Sequence, residues 1–372
     1  MTYLDHAAST PVRAEAVAAM LPFLTERYGN PSGAHAMARD ARNTLDDARV
    51  TLADALGCQP GEIVFTSGGT EADNTAVFSY GDHGAVVCSA IEHHAVLDPV
   101  HRSGGRVVRV LPSGELDLDA LASALDDSVA LVSVMLANNE IGTIQPLAAV
   151  ADIVRERSPR AVLHTDAVQA FPWLDVAALA EPADLVSISA HKFGGPKGVG
   201  VLVVRDGVAF NPRQVGGGQE RERRSGTQNV AGIVAMAEAA RLTVEDRKTV
   251  VDRVTPMRDR LADGLLSSVP GTFESGDRAR KVAGNCHLCF EGIESEALLF
   301  LLEQHGVMAS AAASCASGAQ DPSHVLAALG VPRDLAQGSL RLSLGTTTTD
   351  GDVDLALAVI PPAVARLRER GS

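Results

Sequence analysis

Apolar residues in this chain come in short runs, and almost every run ends at a polar cluster. Between residues 63 and 204 the runs are Ile63–Thr66, Ala85–Ser89, 106–111, 129–136, 162–164, 183–188 and 199–204. Short apolar runs rich in Val and Ile, bounded by polar residues or glycine, predict buried strands. Between them lie stretches of helical period, including 118–125 and Leu147–Arg157, and an earlier long one at 34–56 that Gly57 should stop. A first helix is predicted over about residues 11–23, and long helices over about 230–266, broken at Pro256. The repeated strand–loop–helix unit predicts an α/β fold, with a mostly parallel central sheet covered by helices. From about residue 270 the alternation continues on a smaller scale and predicts a second, smaller α+β domain.

In parallel sheets, ligands bind outside the carboxyl ends of the strands. Five polar clusters each follow a strand here: Thr70, His93, Asn139, Asp166 with Gln169, and Ser189 with His191 and Lys192. A parallel sheet would open all five onto one edge. The chain has only four lysines, and Lys192 and Lys197 fall together in the loop between two apolar runs. A lysine held there is costly as a bare charge unless it is paired or its pKa is lowered. A lowered pKa suits an amine that forms a Schiff base with a carbonyl; taken alone, the position equally suits a solvated loop lysine. Ser67-Gly68-Gly69-Thr70, between strand and helix, offers amides and hydroxyls to a phosphate, although in isolation such a turn is usually a helix cap. Phosphate beside a Schiff-base lysine points to pyridoxal 5'-phosphate (PLP). That cofactor needs an anion against its pyridine nitrogen, and Asp166 at a strand end suits the task, or caps the next helix. His93 suits ring stacking, and Asn139 and Gln169 suit hydrogen bonds to the phenolic oxygen.

Charge and cysteines narrow the field. A formal net charge of −14 argues against nucleic acid as a general partner, although Arg221, Arg223 and Arg224 form a local basic patch. No apolar run reaches the ~18 residues of a membrane span. The N-terminal residues lack a signal-peptide pattern. Five scattered cysteines fit a reducing cytoplasm rather than a disulfide framework. Cys286-His287-Leu288-Cys289 has metal-ligand spacing, but in a strand over Asn285–Phe290 the two thiols point to opposite faces, so no metal site is expected. Cys58 and Cys88 read as packing residues.

Several stretches together resemble the PLP-dependent cysteine desulfurases of the NifS/IscS type, in the class V aminotransferase group with fold type I. They are Tyr3-Leu4-Asp5, Asn30-Pro31-Ser32, Thr66-Ser67-Gly68-Gly69-Thr70-Glu71, Glu92-His93, Asn138-Asn139-Glu140-Ile141-Gly142, Asp166-Ala167-Val168-Gln169 and Ser189-Ala190-His191-Lys192. The likeness continues in order through Gly216-Gly217-Gly218-Gln219-Glu220, Arg224-Ser225-Gly226-Thr227, Pro322-Ser323-His324-Val325-Leu326 and Arg341-Leu342-Ser343-Leu344-Gly345. It implies a large PLP-binding domain over 15–255 and a small domain from 1–14 and 256–372 that carries a catalytic cysteine loop.

The resemblance also implies roles. Lys192 would carry the cofactor, Asp166 would meet the pyridine nitrogen, and His93 would stack on the ring and handle protons. Gly69, Thr70, Ser189 and His191 would bind phosphate, with Asn139 and Gln169 on the ring. Thr227 would reach the phosphate in a partner subunit, which implies a homodimer. Arg341 would bind the substrate carboxylate, with Asn139 beside it. Cys315, separated by six residues from the start of Pro322-Ser323-His324, matches the catalytic cysteine that takes sulfur from L-cysteine and becomes a persulfide, leaving alanine. The sulfur would pass to iron–sulfur cluster assembly or tRNA thiolation. Three departures stand out: Ala311-Ala312-Ala313-Ser314 replaces the usual Ser-Gly-Ser-Ala, Gly194 stands where many members carry Tyr, and Glu222 where many carry Gly. The first puts loop flexibility and rate in question; the other two should not abolish activity. Selenocysteine lyase, an aminotransferase without desulfurase activity, and a catalytically silent scaffold for sulfur transfer remain alternative readings.

Overall fold

The computed structural model describes residues 1–311 and 323–371, so Cys315 lies outside the described residues. In chain order the first half comprises β1 (Thr2–Tyr3), α1 (Ala14–Met20), α2 (Pro22–Thr25), α3 (Ala36–Leu56), β2 (Ile63–Thr66), α4 (Gly69–Tyr80), β3 (Ala85–Ser89), α5 (His94–Arg102) and β4 (Arg106–Val108). Then come α6 (Leu118–Ala124), β5 (Val129–Ser133), α7 (Leu147–Arg157), β6 (Val162–Asp166), α8 (Val176–Leu179), β7 (Leu185–Ser189) and β8 (Gly200–Val204). The rest holds α9 (Val230–Ser268), β9 (Thr272–Glu274), β10 (Asn285–Phe290), α10 (Ser295–Gln304), β11 (Val307–Met308), α11 (His324–Ala328), α12 (Arg333–Ala336), β12 (Ser339–Ser343) and α13 (Asp350–Gly371).

Seven strands form the central sheet, in the order β2-β8-β7-β6-β5-β3-β4. Only β8 runs against the rest: it is antiparallel to both β2 and β7, while the remaining pairs are parallel. β2, β3, β5, β6 and β7 therefore deliver their carboxyl ends to one edge. Alternate residues of each strand enter different cores. Val64, Val86, Leu131 and Leu202 pack beneath α4 and α5, while Phe65, Val87, Val132 and Val201 join the larger core on the other face. A sheet buried on both faces reads as continuous apolar runs, which is why the strands were visible in the pattern.

A separate core gathers Leu4, Val254, Leu261, Phe290, Leu302, Leu342 and Val364 around the sheet β12-β10-β9. The first half of α9 belongs to the larger core and its second half to this one. That long packed interface explains one departure from expectation. Pro256 does not break α9, which runs unbroken for 39 residues; buried Val254, Met257 and Leu261 hold the helix through the missing hydrogen bond. Conversely, the helix expected over 11–23 divides at Pro22, which opens α2 at its first turn. The runs at 106–111 and 129–136 outlast the strands they open: beyond β4 Val110 makes an isolated bridge with Leu116, and beyond β5 Val134 and Leu136 still donate to His164 O and Asp166 O. β10 sends Cys286 into one core and Cys289 into the other.

One segment is strained. Glu220, Arg221 and Glu222 hold φ of 50°, 56° and 65°, three L-residues in succession in the left-handed region. The buried Glu220 carboxylate pins the turn, with Arg49 bidentate at 2.9 and 3.0 Å and the Phe65 amide at 3.0 Å. Gly194 holds φ 88°, and a Cβ there would fall 2.6 Å from Arg13 Cγ.

Candidate active site

The five strand ends open onto a cleft of about 460 Å³ between the central sheet and β12. At one side, α4 starts after Gly68 (φ 152°), and the first intrahelical acceptor, Gly68 O, is taken by Ala72 N–H. The amides of Gly69 and Thr70 therefore precede the helical ladder and are available to an anion. Gly200 permits this turn to lie against β8, since a Cβ there would fall 2.7 Å from Gly68 Cα. Glu71 braces the outer side, accepting from Ser67 N–H at 2.7 Å and pairing with Arg224 at 2.7 Å. Ser189 and His191 line the same cleft. Burial pushes the His191 imidazole down to about 4, and Lys192 beside it adds to the shift.

Lys192 ends the short turn after β7. Its Nζ donates to Ala7 O at 2.6 Å and Ala8 O at 2.9 Å, and no carboxylate pairs with it among the described residues. Burial and the nearby Arg341 charge lower its pKa to about 8, against the opposing pull of Asp166 and Asp5. Gln169 Nε2 donates to the same Ala7 carbonyl at 2.7 Å. Asp166, the last residue of β6, is buried and accepts from Val168 N–H at 2.8 Å. Burial raises it to about 6. His93 caps α5, its Nδ1 accepting from Ala95 N–H at 3.0 Å, and burial followed by the Lys192 charge lowers it to about 4.

Arg341 closes the opposite wall. It donates to Asp5 Oδ1 at 2.8 Å and Asn139 O at 3.0 Å, while its buried Nε has no hydrogen-bond partner. The chain on either side of the Cys315 segment is tied to this cleft. Ser310 exchanges backbone hydrogen bonds with Arg341 at 3.2 and 2.7 Å. On the far side, Ser323 Oγ bonds Glu140, and His324 Nε2 lies 2.9 Å from Glu92 O. Thr227 is exposed and does not line the cleft within one chain.

The class V aminotransferase sequence profile ("Aminotransferase class-V") matches residues 2–356. The chain belongs to that family. "Cysteine desulfurase IscS" of Methanosarcina thermophila is 44% identical over 376 residues, covering 98% of this chain and 92% of that protein. The "IscS-like cysteine desulfurase" of Mycobacterium tuberculosis is 44% identical over 385 residues, covering 99% and 97%. A solved "NifS-like protein" superposes with a TM-score of 0.91 at 36% identity, covering 99% of this chain and 100% of that one. Class V aminotransferases of this kind are PLP-dependent enzymes, and PLP is the cofactor of this chain.

The residues present fit that cofactor. Free amides and hydroxyls at the α4 end suit its phosphate, the unpaired Lys192 amine suits its aldehyde, and the buried Asp166 carboxylate suits its ring nitrogen. Met135 and Val168 supply apolar walls for a flat ring. Sequence reasoning assigned no role to two carboxylates of the cleft, Asp5 and Asp73. Asp73 carried a signal: it sits on the apolar stripe of α4 with Ala72, Ala76 and Val77. A carboxylate there must be buried.

Proposed function

We propose that the chain is a PLP-dependent cysteine desulfurase that converts L-cysteine to L-alanine and passes sulfur through Cys315. The observation that carries this reading is the convergence of Lys192, Asp166 and Arg341 on a cleft whose Ser310 rim lies five residues from Cys315. Five residues span up to roughly 17 Å when extended, enough for the thiol to reach into the cleft.

Gly69, Thr70, Ser189 and His191 hold the cofactor phosphate, with Thr227 contributed across a homodimer by the partner subunit. Asp166 faces the pyridine nitrogen, Asn139 and Gln169 meet the ring substituents, and Lys192 anchors the cofactor. Bound PLP supplies a protonated ring that accepts the electron pair freed at the substrate Cα. Arg341 takes the substrate carboxylate on its guanidinium, and Asp5 gives way as the anion arrives. Lys192, with its pKa lowered to about 8 by burial, offers a neutral amine to remove the Cα proton. His93 has Nδ1 committed to Ala95 N–H, so its neutral form keeps the proton on Nε2 and presents a donor. Cys315 attacks the substrate sulfur as a thiolate, because the neutral thiol is a poor nucleophile; the new S–S bond forms as the substrate Cβ–S bond breaks, and the electron pair stays on the carbon skeleton, which takes up protons to leave as alanine. The sulfur acceptor is a protein of iron–sulfur cluster assembly or tRNA thiolation.

The test is purified protein with L-cysteine, assayed for alanine and sulfide. Cys315→Ala should retain the visible PLP band and lose sulfide release. Full-rate turnover by that variant, or amino-group exchange with pyruvate in place of desulfuration, would overturn the reading.

A further inference from the structure

One carboxylate on the cleft floor has no part in the steps above. Asp73 is buried, its Oδ1 has no hydrogen-bond partner among the described residues, and His164 Nε2 stands 3.6 Å away. His164 lies across the sheet, with Nδ1 2.8 Å from Ser133 Oγ and Nε2 3.0 Å from Ser187 Oγ. Burial lowers it to about 3, so it is neutral and brings no compensating charge. The Ser187 hydroxyl thus meets the same His164 nitrogen that faces Asp73, and Ser187 sits beside Asp166 in the sheet register.

The groups facing Asp73 can be counted by element. β6 brings His164 and Asp166; the segment leading into α5 brings Glu92 and His93; the turn after β7 brings His191 and Lys192; the far wall of the cleft brings Asp5 and Arg341, which pair with each other. β2, β5, β7 and β8 bring nothing that titrates, and His94 and Asp98 at the start of α5 pair with each other at the surface. Of these carboxyl groups Lys192 acts on Asp166, whereas Asp73 and Glu92 have no Lys or Arg partner among the described residues. Neighbouring carboxyls in a dry site do not all ionise. Their donors decide which one keeps its charge. Asp166 has the Val168 amide and the Lys192 charge. Glu92 has the Ser89 hydroxyl and the Met135 amide on Oε1. Asp73 has no backbone amide and no cation among the described residues, and the nearby Ser187 hydroxyl accepts a hydrogen bond as readily as it gives one.

We propose that Asp73 is a positioning residue that stays protonated at neutral pH, donating to Ser187 and leaving Asp166 as the anion on the cleft floor. Burial and the adjacent Asp166 push its carboxyl well above the usual range, in line with that placement. Only the consequence for the cofactor rests on the role proposed for Asp166.

Asp73→Asn in the holoenzyme tests it, because an amide copies the size, neutrality and donor of the protonated acid. In the infrared difference spectrum at neutral pH, the wild type should show a protonated carboxylic C=O stretch that the variant lacks. The pKa of Asp73 is raised on folding, so the wild type takes up a proton when it folds. Its stability therefore falls as pH rises above the unfolded value of about 4. The variant should melt at a higher temperature at neutral pH, and that advantage should vanish near pH 4. The pH midpoint of the visible PLP band should stay within a few tenths of a unit. Absence of the acid band, a lower melting temperature confined to neutral pH, a midpoint moved by a unit, or failure of the variant to fold would each overturn the proposal. The infrared and melting measurements read Asp73 whether or not L-cysteine is desulfurated.

Discussion

Two lysines in this molecule, Lys281 buried and Lys192 half-buried at the cleft, have opposite arrangements. Lys281, between the two cores, has a fully buried side chain, and its Nζ meets Glu274 at 3.0 Å and Ser275 O at 2.8 Å. Arg278 shares the Glu274 carboxylate. Lys192 has two backbone carbonyls and no carboxylate partner among the described residues. Burial lowers both pKa values; Glu274 offsets the shift for Lys281, while Arg341 deepens it for Lys192. A buried lysine becomes reactive when its neighbourhood refuses it a counter-ion, and becomes structural when it is given one.

The largest contrast should come from Lys192→Met and Lys281→Met. The first should lose the visible PLP band and all measurable turnover, and the second should keep the band. A retained band in Lys192→Met would break the contrast. Next, Glu274→Gln should cost about 3 kcal/mol in denaturant unfolding by leaving Lys281 buried without its anion. A loss below about 1 kcal/mol would show that the pair contributes little. The opposite sign is expected at Lys192 in the apoprotein. Its folded pKa of about 8 lies below the unfolded value near 10.4, so the penalty on the charged form is complete below pH 8 and fades as pH approaches 10.4. Apo Lys192→Met should therefore be more stable than apo wild type at pH 7, by about 2 kcal/mol, with the gap closing toward pH 10 in thermal melts. Smallest of all, Lys248→Ala removes an exposed pair with Asp252 and should change stability by under about 0.5 kcal/mol.

Much of the cleft was legible because its parts sit at strand ends, where periodicity stops and polar residues begin. Thr70, His93, Asp166 and Lys192 were found that way, and the cleft they line is the one expected. Asp5 and Asp73 were not, for different physical reasons. Asp5 reaches Arg341 across 336 residues of chain, a contact that no local pattern encodes. Asp73 is hidden inside a helix, where a polar residue normally faces solvent. Pro256 misled in the other direction, since the local rule for proline yields when both halves of a helix are buried in packed cores. The contribution expected of Thr227 concerns a second subunit, and the thiol of Cys315 lies outside the described residues.

The turn at 220–222 has a consequence for the segment that follows it. Three left-handed L-residues store roughly 3 kcal/mol or more of conformational cost, and a single carboxylate, that of Glu220, stands against it by gripping Arg49 and the Phe65 amide. A glycine at 222 would relieve part of that tension without touching the grip, whereas removing the grip would let the turn recoil. Residue 227 lies seven positions downstream of Glu220, so the role proposed for its hydroxyl depends on a latch deep inside the chain.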